Sequence, residues 1–301
     1  MNWEARDLLN VQNLSKAIDG KTILEDITFE LKSGSITGLI GRNGVGKTTL
    51  LRIMAGILDP DQGEVLFEDI NLSTYPLIKQ SMYYVPDSMS MFNSYSVKEL
   101  VRLHVSMYEQ FDQEAFYAWL DRFQLPTNRT LRSFSKGMKA LLVIILALST
   151  QSRLIILDEP TNGLDVIVKK QVMQLLVEEV SERQLALIIS SHHLQELEKI
   201  ADVLIMMKDT RIDSMISIED VKQSFKKVQV AFADISPHSL FDKEYVEVLS
   251  QVGRVTTLLI KSNAAHTIRL LQDNQPLLLE ELPVTVEDLF MSRLGGNGYV
   301  S

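Results

Sequence analysis

The stretch Gly41-Arg42-Asn43-Gly44-Val45-Gly46-Lys47-Thr48 limits the fold more than any other part of the chain. It has the spacing Gly, four residues, Gly-Lys-Thr. Residues 36–40, Ile-Thr-Gly-Leu-Ile, read as a short buried strand leading in. Leu50, Leu51, Met54 and Ile57 recur at helical spacing leading out. A strand, a glycine-rich turn and a helix in that order aim backbone N–H groups and a positive helix end at one point, where a phosphate chain can sit. Glycines leave room there that side chains would fill. Arg42, Asn43, Val45 and Thr49 complete the binding stretch. Lys47 is placed to reach the outer phosphates, and the Thr48 hydroxyl to ligate Mg²⁺.

The rest of the chain alternates strands and helices around this loop. Leu8, Val11 and Leu14, then Ile27, Phe29 and Leu31, suggest two early strands; Val65 to Phe67 and Tyr83 to Val85 suggest two more. From about residue 87 the texture turns helical. Ser96-Val97-Lys98-Glu99 has the form of a capping box, and a helix is expected from it to about Phe111. Phe116, Trp119, Leu120 and Phe123 share one face of the next helix and read as core. Ser135-Lys136-Gly137 opens a third, through about Leu148. Apolar runs at 154–157, 185–189 and 203–206 have the character of strands buried on both faces. The class expected is α/β, a parallel sheet wrapped by helices, with a helical lobe inserted at about 87–150. After residue 211 the rhythm changes, and residues 212–301 read as a small α+β appendage. Strands are expected at 228–232 and 255–260, and helices at 217, at 266–271 and from Glu287 to Phe290.

Composition excludes several classes. There is no cysteine, so no disulfide and no thiolate metal site; this fits a reducing compartment. The net charge of −9 argues against a nucleic-acid backbone as the main partner. The opening residues carry no apolar signal-like run. The longest apolar run, Ala140 to Leu148, is far too short to span a bilayer. Any membrane part is expected on another chain.

Two carboxylates and a histidine sit where chemistry on a phosphate needs them. Asp158 ends the apolar run 154–157, a costly place for a charge unless it is paired or holds a metal. Glu159, pointing another way, is placed to accept a proton from an attacking water. His192, at the end of the following strand, is placed to contact a γ-phosphate oxygen; His193 is expected to be a bystander.

In this order the motifs resemble the nucleotide-binding subunits of ATP-binding-cassette (ABC) transporters, over residues 5 to about 211. Gly41 to Thr48 matches the Walker A motif, and Leu154 to Glu159 matches Walker B with its catalytic glutamate. Phe134-Ser135-Lys136-Gly137-Met138 stands in the place of the signature motif. Thr161 to Asp165 matches the D-loop, and Ser191-His192 the switch histidine. The Ser-Lys-Gly-Met signature and the appendage look most like cassettes of bacterial ABC-2-type exporters. The resemblance implies a P-loop NTPase cassette, residues 1–211, with ATP and Mg²⁺ as cofactors. Lys47, Glu159 and His192 would be catalytic, and Thr48, Asp158 and Asp87 would face the metal. Ser135 and Gly137 would reach the ATP of a second cassette, identical or different, facing head to tail. It further implies a transmembrane permease subunit on a separate chain and a peripheral place on the cytoplasmic face of the bacterial membrane.

Three positions depart from the family pattern. Ile18 replaces an adenine-stacking aromatic, Asp87 a hinge glutamine, and Met138 the last signature glutamine. The alternatives are a soluble cassette ATPase and a weakly active regulatory cassette paired with an active one. A groove beside Asp87, Met91, Phe92 and Tyr95 is expected to seat a short helix of the permease. The transported molecule is not encoded in this chain.

Overall fold

The computed structural model describes residues 7–88, 90–233 and 245–289; the Met91 side chain is also outside the description. Two strands buried at every position, β3 (Ile36–Ile40) and β7 (Leu154–Asp158), sit in the middle of a six-stranded sheet. The other strands are β6 (Met82–Val85), β8 (Ala186–Ser191), β9 (Val203–Lys208) and β10 (Arg211–Ser217), in the order β10-β9-β3-β8-β7-β6. The pairs β3–β8, β3–β9, β7–β8 and β6–β7 are parallel. Parallel strands covered on both faces must be apolar at successive positions, which is why they read as unbroken runs.

A second sheet is antiparallel, in the order β2-β1-β4-β5, from β1 (Asp7–Ile18), β2 (Lys21–Lys32), β4 (Gln62–Phe67) and β5 (Ile70–Asn71). The apolar residues of β1 do not alternate cleanly because the register against β2 shifts between Val11 and Leu14. Asn13 sits in that bulge with φ of 48°, and its N–H is satisfied by Thr28 Oγ1 at 2.9 Å. Side chains from this sheet, the parallel sheet and helix α1 (Lys47–Met54) share one core.

The helical lobe holds α2 (Val97–Met107), α3 (Gln113–Arg122) and α4 (Lys136–Ser149). The expected capping box closes: Glu99 N–H donates to Ser96 Oγ at 3.3 Å, and Ser96 N–H to Glu99 Oε2 at 2.7 Å. The helix is shorter than its apolar spacing suggests. It stops at Met107, Tyr108 turns extended, and Phe111 folds into the core instead of continuing the helix. Asp112 then caps α3, accepting from Ala115 N–H at 2.9 Å. Phe116 and Leu120 are buried and Trp119 and Phe123 half-buried. From Leu141 to Ser149 every residue of α4 is buried. Two further helices, α5 (Val166–Arg183) and the short α6 (Leu194–Leu197), follow β7 and β8.

The chain divides into two compact units, Met1–Met215 and Ile216–Ser301. The second begins with α7 (Ile218–Ser224) and carries an antiparallel sheet, β12-β13-β11-β14. Its strands are β11 (Lys226–Ala231), β12 (Val246–Val252), β13 (Val255–Ile260) and β14 (Leu278–Leu282). Val228, Val230, Leu258 and Ile260 form a core with Leu271 of α8 (Ala264–Asp273). A last helical turn at 286–289 is capped by Thr285, whose Oγ1 accepts from Asp288 N–H at 3.2 Å; Phe290 lies outside the described residues. No helix among the described residues is long and apolar enough to cross a membrane.

The capping box is a local stabiliser of the lobe. Ser96→Ala should lower unfolding free energy by about 1 kcal/mol. Urea denaturation checks this: the midpoint should fall with the slope unchanged.

Candidate active site

The loop after β3 is closed by contacts that only glycine permits. At Gly46, φ is 113°, and a Cβ there would lie 2.9 Å from Ile23 O. At Gly41 a Cβ would lie 2.8 Å from Val45 Cγ1 and 3.0 Å from Met207 O. The turn therefore feeds straight into α1, whose first residue is Lys47. The Lys47 side chain is buried and folds back over the loop. Its Nζ donates to Gly41 O at 2.7 Å and to Arg42 O at 3.4 Å, and lies 3.3 Å from Glu159 Oε1.

Asp158 and Glu159 separate at the end of β7. Asp158 is 1% exposed. Its Oδ1 accepts from Ser190 Oγ at 2.7 Å and its Oδ2 from the Tyr84 hydroxyl at 3.3 Å. Glu159 has φ of 49°, a left-handed backbone that ends the strand and swings its side chain toward Lys47. Its Oε2 lies 2.9 Å from His192 Nδ1, while its Oε1 is buried with no aligned hydrogen bond. Lys47, Glu159 and His192 thus form one contiguous cluster, built from three different strand ends.

A cleft of about 370 Å³ opens beside this cluster, lined by Asn43, Gly44, Gly46, Lys47, Thr48 and Thr49 together with Asp87 and Glu159. Its apolar wall is Ile23, which the sequence reading did not single out; Ile18, 41% exposed at the end of β1, does not line it. Arg42 and Val45 lie outside the lining; Val45 N–H donates to Arg42 O at 3.3 Å within the loop.

Ser135 and Gly137 belong elsewhere. Ser135 caps α4, its Oγ accepting from Met138 N–H at 3.2 Å. Gly137 faces α5, where a Cβ would lie 3.1 Å from Val168 Cγ2. Between the start of α4 and the segment after Glu159 is a second cleft of about 210 Å³, lined by Asp87, Lys136, Lys139, Glu159 and Asn162 among others. A further residue missed from the sequence is Glu196, which meets Thr161 of the stretch matched to the D-loop. Glu196 accepts from Thr161 Oγ1 at 3.0 Å and from Lys169 Nζ at 2.6 Å, tying the segment after Glu159 to the helix after His192. His193 opens that helix, and its N–H donates to Ser191 Oγ at 3.0 Å. No local pattern marks Glu196, because its role comes from which strand ends lie side by side. At the lobe edge Phe92 and Tyr95 meet edge to face, 5.8 Å between ring centroids, and Tyr95 is 40% exposed.

Charge crowding shows in the titration of the groups. The Asp87 carboxyl is held above the usual carboxylate range, first by loss of solvent and then by the charges of Asp158 and Glu159; Lys136 opposes them. The Tyr84 phenol is pushed up to about 12 by loss of solvent and by the Asp158 carboxylate beside it.

Among the described residues, no three His, Cys, Asp or Glu side chains converge as a metal cage. A Mg²⁺ that enters on a phosphate chain needs none, taking one or two protein oxygens and filling its shell with phosphate and water. The Thr48 hydroxyl and the Asp158 carboxylate suit that donor set. A carboxylate has roughly four acceptor positions, and Ser190 and Tyr84 occupy two of those on Asp158.

A buried parallel sheet with a phosphate-type loop on one strand and acidic residues on another defines a nucleoside-triphosphate-binding cassette. Comparison with known proteins narrows this. The family model described as "ABC transporter" matches residues 24–162. The ABC transporter ATP-binding protein YtrB of Bacillus subtilis (strain 168) is 32% identical over 289 residues, 96% of this chain and 99% of that protein. The lantibiotic transport ATP-binding protein SrtF of Streptococcus pyogenes is 32% identical over 200 residues, 65% of this chain and 85% of that one. Among solved structures, cbiO1 from Clostridium perfringens, part of the ABC transporter complex cbiONQ, matches with a TM-score of 0.63 at 28% identity, over 72% of this chain and 91% of that one. The chain belongs to the ATP-binding proteins of ABC transporters, and the cassette is an ATPase.

Asp87 offers a test of the crowding. Because its pKa is raised in the folded protein, the folded state binds more protons than the unfolded chain above the ordinary value of 3.8, and stability is lost as pH rises through this window. Asp87→Asn should therefore raise the thermal midpoint at about pH 7. The gain should shrink as pH is lowered toward about pH 4, a trend that scanning calorimetry at several pH values reads directly.

Proposed function

We propose that this chain is the ATP-hydrolysing subunit of an exporter of the ABC-2 type, driving a permease carried on a separate chain. The observation that carries the catalytic part is the Lys47–Glu159–His192 cluster, with 3.3 Å and 2.9 Å contacts on the two oxygens of one carboxylate. Walker-type loop amides and Lys47 bind the phosphates. Thr48 and Asp158, with Asp87 close by, hold Mg²⁺, which when bound neutralises charge on the phosphate oxygens.

Glu159 then acts as general base. A γ-phosphate competes with Glu159 for Lys47, because both anions seek the same ammonium. Once Lys47 turns to phosphate, the Glu159 carboxylate is released to take a proton from the attacking water. His192 stays on the other oxygen, orients the carboxylate, and contacts the γ-phosphate. The left-handed backbone at Glu159 supports this division, since it goes with a carboxylate held beside Lys47 and His192 while Asp158 keeps its own partners on Ser190 and Tyr84. Two cassettes meet head to tail in this reading, with Ser135 and the Gly137 backbone of each reaching the nucleotide of the other. The helix that begins at Lys136 turns the positive end of its dipole to that side, which suits an anion. The exposed Val166 and Ile167, 81% and 74%, follow the D-loop and suit burial against a second cassette.

The likeness to YtrB runs through both units of the chain, and SrtF is by its name a lantibiotic transport protein. Together with the single cassette these support the exporter reading. The cassette then works peripherally at the cytoplasmic face of the membrane, with the permease helix seated beside Asp87, Phe92 and Tyr95. The half-exposed ring pair of Phe92 and Tyr95 supplies adaptable apolar area for such a contact.

Glu159→Gln keeps the shape of the side chain and removes the proton acceptor. Hydrolysis should fall by roughly 10²-fold or more, while ATP binding persists. Wild-type turnover in this variant would remove Glu159 from the role. Phe92→Glu should leave the isolated subunit folded and able to bind ATP, and should lose recruitment to membranes that contain the permease. Co-purification from such membranes at the wild-type level would place the contact elsewhere.

A further inference from the structure

The deepest polar side chain near the site is Ser190, fully buried at 0% exposure. The parallel register of β7 and β8 sets Asp158 opposite Ser190. One hydroxyl there serves both acidic residues. Ser190 Oγ donates to Asp158 Oδ1 at 2.7 Å and accepts the Glu159 backbone N–H at 2.9 Å. An ionised carboxylate can only accept, so the hydroxyl proton must point at Asp158, which leaves the lone pairs for the Glu159 N–H. That N–H belongs to a residue with φ of 49°. β7 ends at Asp158, so this N–H lies past the end of the strand, and the Ser190 hydroxyl is the partner that satisfies it.

We propose that Ser190 is a positioning residue for ATP hydrolysis: its hydroxyl fixes the carboxylate of Asp158 and the backbone turn of Glu159 together. The inference rests on the reading of Asp158 as metal-facing and Glu159 as general base. It adds a residue that touches neither phosphate nor water, yet sets the angle between the two that do. With the hydroxyl removed, Asp158 can rotate about its side chain and Glu159 can relax toward an ordinary strand conformation. That relaxation carries its carboxylate away from Lys47 and His192.

The test compares Ser190→Ala, Ser190→Cys and Ser190→Thr with the wild type and with Glu159→Gln in the full chain. Ser190→Ala should lower kcat roughly tenfold or more, since a part-buried N–H and a carboxylate oxygen lose their partner together, and should leave the KM for ATP within about threefold. A readout independent of turnover is the affinity for a fluorescent ATP analogue with and without Mg²⁺. The gain in affinity that Mg²⁺ gives should shrink in Ser190→Ala. Ser190→Thr, which keeps the hydroxyl, should recover kcat and the Mg²⁺ effect. If Ser190→Ala does not fold, Ser190→Cys carries the same expectation, because a thiol fills the space and bonds poorly. In the Glu159→Gln background the Ser190 change should cost little further rate, the non-additivity of groups acting as one unit.

A folded Ser190→Ala, or Ser190→Cys in its place, with wild-type kcat and an unchanged Mg²⁺ effect overturns the proposal. So does a folded Ser190→Thr as impaired as Ser190→Ala. If Glu159→Gln is inactive while the Ser190 variants are normal, only this inference fails. If Glu159→Gln itself turns over normally, the reading beneath it fails first.

Discussion

A carboxylate buried at the end of a central strand governs this structure. Asp158 is placed at the C-terminal edge of β7 by a run of apolar residues that can only sit inside. Left alone there, its charge would be expelled or neutralised. Instead the two strands that flank β7 each send a hydroxyl, Ser190 from β8 and Tyr84 from β6. The order β8-β7-β6 is thus part of the chemistry. A different neighbour on either side would leave an oxygen of Asp158 unsatisfied. The same arrangement brings the loop after β3 close by, because β3 pairs with the far edge of β8.

The next residue shows why the strand must end where it does. In an ordinary strand Glu159 would point to the opposite face of the sheet from Asp158. The left-handed turn at Glu159 instead keeps its carboxylate at the sheet edge, in reach of Lys47 and His192. Such a backbone costs about 1–3 kcal/mol at a non-glycine residue and persists only where surroundings hold it. Here the holding groups are visible: Ser190 on the backbone and two basic side chains on the carboxylate. Two residues on, Thr161 is fastened through Glu196 to the helix that follows His192. The end of β8 and the segment after it are therefore joined to the segment after β7 at three successive points, Ser190, His192 and Glu196, so displacement of one is felt by the other.

Much of this was legible in the sequence, and the pattern of what was legible is physical. Asp158, Glu159, Lys47 and the glycines announce themselves because a charge after four apolar residues, or three glycines in six, has few uses. The parallel strands were readable because double burial forces every residue to be apolar. Ser190 was not readable, since a serine at a strand end is commonplace until the register places it beside Asp158. Glu196 was hidden in the same way. Strands β12 and β14 escaped because half-exposed edge positions, with Glu280 and Glu281 in β14, blur the alternation. The overlong reading of α2 had another cause. Phe111 keeps the helical spacing, but it reaches the core from a turn.

Strand β6 shows how the helical lobe and the acidic edge share one element. Consecutive residues of a strand face opposite ways, and β6 puts a tyrosine on each side. Tyr84 donates to Asp158. Tyr83 turns to the lobe, where its hydroxyl lies 2.6 Å from His104 Nε2, while His104 Nδ1 lies 2.7 Å from Leu100 O. A backbone carbonyl can only accept, so Nδ1 carries the proton and Nε2 accepts from Tyr83. Burial pushes the His104 pKa down, which keeps the imidazole neutral and this tautomer in place. The Tyr83–His104 bond crosses from β6 to α2, so α2 cannot shift far without either losing that hydrogen bond or carrying β6 with it. Asp87 follows β6 by two residues, so one strand carries both the acidic edge and the start of the lobe, and the lobe meets that strand through His104 on Tyr83 and through the Tyr108 hydroxyl, which donates to Met82 O at 3.4 Å.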